Sequence, residues 1–161
     1  MRYGYWAGIG ASIILGLILI VAGLGKLPNQ AEFLATILSK SFLTPLLAHL
    51  VGLCLPAIEV LLGSLLILGI ATKIMASLSA VLIMGFIAHN SWVITHGLGH
   101  EPCSCLGILE RLFQGEFSTT EALYLDIGML ALVLIILLSY PESFSTIRPW
   151  FFKEDRGNED T

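Results

Sequence analysis

The sequence predicts an all-α integral membrane protein, a four-helix bundle with short interfacial helices in its outer loops. Three observations predict it. Of the 161 residues, 56% are hydrophobic and 12% charged, with a mean hydropathy of +0.87, whereas about a quarter of the residues in soluble domains are charged. Four stretches, at about 6–25, 45–70, 74–95 and 119–140, each approach the roughly 20 apolar residues that cross the hydrocarbon layer as a helix. Charged and turn-forming residues fall mostly between them. Residues 1–140 are expected to form one transmembrane domain, and 141–161 a cytoplasmic interfacial anchor with a polar tail. The net charge of −4 comes with no run of lysine or arginine, which excludes nucleic acid as a partner and leaves the lipid bilayer.

The first span, Trp6 to Leu24, carries no charge. It follows a single positive residue, as a signal peptide would, yet runs through Gly23 and Gly25 into Lys26 without a small-x-small cleavage site, so it is read as retained. Gly8, Ser12 and Gly16 recur every fourth residue and give one face that a neighbouring helix can approach closely. From Lys26 to Thr44, Pro28 and Asn29 suit a turn; Phe33, Leu34, Ile37 and Leu38 then share one face of a short helix expected to lie in the interface.

In the second span Pro45 suits a first helical turn, and Pro56, inside the run, predicts a bend. Glu59 is the unusual residue. It lies about 21 Å along the helix from Pro45, near or past the bilayer midplane, where a bare carboxylate costs several kcal/mol and so must meet a donor or take up a proton. After a tight turn at Gly69–Lys73, the third span holds Ser77, Ser79, His89, Asn90 and Ser91. The connection that follows, HGLGHEPCSCLG, contains two of the three cysteines and two of the four histidines. Residues 108–117 read as a second interfacial helix. Ser118, Thr119 or Thr120 can cap the fourth span, with Glu121 in its first turn and Asp126 about two turns in.

Four spans put both termini on one side, with Arg2, Lys73, Arg148, Lys153 and Arg156; the other side has Lys26, Lys40 and Arg111. Five positive charges against three predict cytoplasmic termini in an inner or plasma membrane, with the cysteine connection outside, in an oxidising compartment. By depth, His49, Cys54, His89, Asn90 and Asp126 then lie just beneath Cys103 and Cys105, and Glu59 lies below them.

Cys103 and Cys105 are the sharpest chemical signal. A C-x-C pair closes a small, strained disulfide ring, and strain makes the bond easy to reduce, which suits a relay more than a staple. Cys54 reads as a small buried apolar residue, with a bridge to Cys103 or Cys105 as the alternative. His96, His100, Cys103 and Cys105 can enclose zinc or copper(I), although the spacing lacks the usual C-x2-C pattern. The two histidines can equally lower a thiol pKa. His49 and His89 are candidate haem ligands on neighbouring spans. Glu59 and Asp126 can carry protons or, with His89, orient a quinone headgroup. Metalloprotease, hydrolase-elbow, phosphate-loop and dinucleotide motifs are absent from the sequence.

GLGKL at the end of the first span, LPAIEVLLGSLLILG in the second and CSCLG after the third resemble the DoxX-like superfamily of small four-span membrane proteins, and within it the MauE branch. The resemblance covers about residues 10–140. Its most specific parts are Pro56, Glu59 and Gly63 and the run Cys103–Gly107. It implies a four-helix bundle associated with extracytoplasmic redox and thiol chemistry. MauE-type proteins are linked to maturation of a disulfide-rich periplasmic dehydrogenase together with a thioredoxin-like partner, and DoxX-type relatives to thiosulfate and quinone oxidoreduction. By the same resemblance Cys103 and Cys105 match the family's cysteine pair, and Lys26 and Glu59 its characteristic membrane positions. The leading expectation is a membrane-embedded thiol–disulfide relay or redox-maturation protein acting on an extracytoplasmic thioredoxin-like or client protein. Its reactive groups would be Cys103, Cys105, Glu59, His89 and Asp126, with a quinone as the candidate cofactor. An accessory subunit of a larger membrane redox complex and a metal- or haem-binding protein are the alternatives.

Overall fold

Apolar runs of this length form helices in a bilayer because every backbone polar group must be satisfied within the segment. The computed structural model describes residues 2–28, 34, 35, 38, 44–97 and 118–139. It contains four long helices: α1 (Arg2–Lys26), α2 (Pro45–Leu68), α3 (Thr72–Thr95) and α4 (Thr119–Ser139). All four are long and apolar enough to cross a membrane, which makes the chain a multi-pass membrane protein. Of the predicted interfacial segment at 26–44 only residues 26–28, 34, 35, 38 and 44 are described, with Lys26 ending α1 and Leu34, Ala35 and Leu38 helical; the segment at 108–117 and the tail lie outside the described residues.

Local chemistry sets the helix ends. Pro45 opens α2, where its missing N–H costs nothing. Gly69 closes it in the left-handed conformation (φ 69°), its N–H donating to the Leu66 carbonyl at 3.2 Å and that of Ile70 to Leu65 at 3.1 Å. That glycine stops the helix two residues before the expected boundary. At α4 the sequence offers three capping residues, and the structure selects Ser118. Its N–H donates to Glu121 Oε2 at 2.9 Å while the Glu121 N–H faces Ser118 Oγ at 3.4 Å, the reciprocal arrangement of a capping box.

The helices pack in the order α2–α1–α4–α3, and the ring closes weakly: α2 and α3, although consecutive, meet less than the other three neighbouring pairs. On α4 the buried residues are Thr119, Ala122, Asp126, Met129, Val133 and Ile136, a strict three-four alternation that leaves the rest of the surface to lipid. Leu46, Leu53, Val81 and Leu138 are among many large apolar side chains exposed around the bundle, Leu138 at 86%. α1, which packs against both α2 and α4, is the most buried of the four. Leu15, Leu19, Leu62, Leu66, Ile83, Met129 and Val133 form the centre of the core.

The small-residue face of α1 is used within the bundle. Ser12 Oγ donates to the Leu66 carbonyl at 2.7 Å, and Gly16 lies so close to Gly63 that a Cβ on either would fall 2.7 or 2.5 Å from the other's carbonyl oxygen. About two turns along, a Cβ on Gly23 would lie 2.7 Å from the Pro56 carbonyl oxygen. Pairing 16 with 63 and 23 with 56 fixes the two helices as antiparallel and in one register.

Candidate functional site

That register creates a buried ionic cluster to which every helix contributes one polar side chain. With Gly23 level with Pro56, Lys26 at the end of α1 lies about one turn past that level. Side chains lean toward the helix N-terminus, so Lys26 reaches back into the bundle rather than out to the interface. Its Nζ donates to Glu59 Oε1 on α2 at 2.5 Å, and both side chains are almost fully buried, at 2% and 1% exposure. The ammonium also lies 4.8 Å from the centre of the Phe86 ring on α3, where the ring face favours a cation. On the other side of the bundle Asn90 Nδ2 of α3 donates to Asp126 Oδ2 of α4 at 2.8 Å, and both residues are buried.

The two pairs are joined by a cavity of about 30 Å³ lined by Lys26, Glu59 and Asp126 together with Phe86, Leu19 and Met129. Glu59 Oε2 is buried without a hydrogen-bond partner. A buried carboxylate oxygen left unpaired is costly, and it belongs to a residue that lines the cavity. The cavity can take one or two waters but is far below the roughly 150 Å³ that admits a benzene ring.

Several sequence expectations change in this light. Counting from Pro45 sets Glu59 below Asp126, yet the two line one cavity. The register shows why: the first two turns of α2 extend past the end of α1, so the count starts too high. Lys26, counted from sequence among the outer interfacial charges, is instead buried against Glu59. Cys54, expected as a buried apolar residue, is exposed on α2. His49 is exposed and His89 half-buried, and neither lines the cavity. Of the polar groups expected together, Asn90 and Asp126 meet, Glu59 and Lys26 join Asp126 at the cavity, and His49, Cys54 and His89 do not line it. Phe86 is the member that sequence reasoning left out of the site, and Lys26, marked by the family resemblance, was given no role there. The signal for Lys26 was present in the demand of Glu59 for a donor, since Lys26 ends the neighbouring span.

His96 is at the C-terminal end of α3, its ring 4.1 Å from that of Trp92 and its Nδ1 2.9 Å from the Trp92 carbonyl oxygen. With Nδ1 so engaged, a metal would take Nε2. The other proposed ligands, His100, Cys103 and Cys105, lie outside the described residues. Among the described residues no group of three or more histidine, cysteine or acidic side chains is placed to hold a metal ion.

Comparison with known families matches residues 4–139, most of the chain, to the methylamine utilisation protein MauE. No curated protein and no solved structure gives a significant match. A match along the length of all four helices, joined to an all-α membrane bundle, establishes that this chain belongs to the MauE family of the DoxX-like superfamily, a family of redox-associated membrane proteins.

Proposed function

We propose that this protein is a thiol–disulfide relay that exchanges electrons between Cys103–Cys105 and a thioredoxin-like or client protein on the extracytoplasmic side of the membrane. The observation that carries this reading is where the cysteine segment is tethered. It joins α3 to α4, the two helices that close the buried cluster through Asn90 and Asp126. The C-x-C spacing supports it, because a small strained ring exchanges readily.

A single exchange balances with the Cys103–Cys105 disulfide as the oxidant, and its re-formation requires a second two-electron acceptor. A thiolate of the partner attacks one sulfur of a Cys103–Cys105 disulfide, forming a mixed disulfide and releasing the other sulfur as a thiolate that takes up a proton. The partner's second thiol loses its proton and resolves the mixed bond. The partner leaves as a disulfide and Cys103 and Cys105 remain as thiols; the reverse sequence carries electrons the other way. Glu59, His89 and Asp126 act as supporting groups within the bundle. The outward placement of the segment is supported by the charge count: with Lys26 buried in an ion pair, five positive charges on the terminal side face Lys40 and Arg111 alone.

The test is trapping. Cys103→Ser and Cys105→Ser should each be expressed in a strain lacking the native gene, and at least one should accumulate a mixed disulfide that reductant releases. If neither variant traps a partner and both retain activity in vivo, rescuing the deletion strain, the relay is wrong.

A further inference from the structure

Among the described residues, the buried cluster holds two carboxyl groups and one ammonium, an excess of one negative charge, and every helix contributes to it. Facing the cavity, α1 presents Lys26, α2 presents Glu59, α3 presents the neutral Phe86, and α4 presents Asp126, whose Oδ2 is held by Asn90. His89, on α3, does not line it. Glu59 spends Oε1 on Lys26 and leaves Oε2 without a donor. One missing donor and one excess charge meet in a cavity with room for water.

We propose that this cavity is a proton-holding site, in which one exchangeable proton is shared between Glu59 and Asp126 through a water that donates to Glu59 Oε2. The proton removes the excess charge, and the water supplies the missing donor. Lys26 is the fixed counter-charge, anchored by Glu59 Oε1 and the face of Phe86. A metal cation is disfavoured because the ammonium already occupies the positive position beside Glu59. This inference goes beyond the relay and does not depend on the cysteines.

Infrared spectroscopy of the protein in lipid nanodiscs at neutral pH tests it, read in the C=O stretch of a protonated carboxylic acid and its shift in heavy water. The wild type should show one buried acid. Either Glu59→Gln or Asp126→Asn leaves one carboxylate against one ammonium, so each should lose the band completely. Lys26→Met leaves two carboxylates and no ammonium, so its band should double. Replacing both Cys103 and Cys105 with serine should leave the band intact, which separates this site from the relay. Absence of the band in wild type, its survival in both amide variants, or a stoichiometric metal cation retained in its place would overturn the proposal.

Discussion

The α1–α2 seam and the α3–α4 seam are built differently. Along α1–α2, backbone meets backbone: Gly16 against Gly63 and Gly23 against Pro56, with no room for a single added methyl group. Along α3–α4, side chains meet side chains, and the glycines of those helices, Gly85 and Gly128, face open space. The first seam acts as a ruler. Its contacts leave only one register, and that register brings Lys26 to Glu59. The second seam is an ordinary heptad stripe that includes the polar rung Asn90 to Asp126.

The largest expected effect tests what the ruler delivers. Lys26→Met removes the partner of a buried carboxylate and should cost about 3–5 kcal/mol, whereas replacing Lys26 and Glu59 together with methionines should recover most of that loss, because a buried pair is no more stable than apolar residues of similar volume. Thermal unfolding of the four proteins of this cycle in one detergent measures it. Equal losses in the single and double variants would mean that the pair is not the interaction being removed.

A smaller effect tests the ruler itself. Gly63→Ala places a Cβ 2.5 Å from the Gly16 carbonyl oxygen, and since backbone cannot give way as a flexible side chain can, the cost should be about 1–3 kcal/mol. The smallest effect comes from the other seam. Gly128→Ala meets nothing within 4 Å and should be neutral or stabilise by up to about 1 kcal/mol through helix propensity. If both glycine substitutions shift the melting temperature alike, the contrast between the seams fails.

The four spans were legible because a bilayer demands continuous apolar helix, and the alternatives are few. Glu59 announced itself for the same reason: a carboxyl so deep in an apolar run requires an account. Gly8, Ser12 and Gly16 correctly marked a close-packing face, but spacing alone did not say which helix would occupy it. Cys54 was misjudged because a cysteine in an apolar run looks the same whether it faces protein or lipid. The depth of Glu59 was misjudged because a count along one helix knows nothing of where its neighbour ends.

The sequence by itself therefore determined the class, the number of crossings, the capped and glycine-terminated helix ends, and the polar residues whose burial needed explaining. These follow from hydropathy, backbone hydrogen bonding and local φ preferences, which act over one turn or one span. Only the tertiary structure decided that Lys26 turns inward to Glu59, that Asp126 shares their cavity, and that His49 and Cys54 face outward. Each of those depends on the rotation and register of one helix against another, set by contacts between residues tens of positions apart.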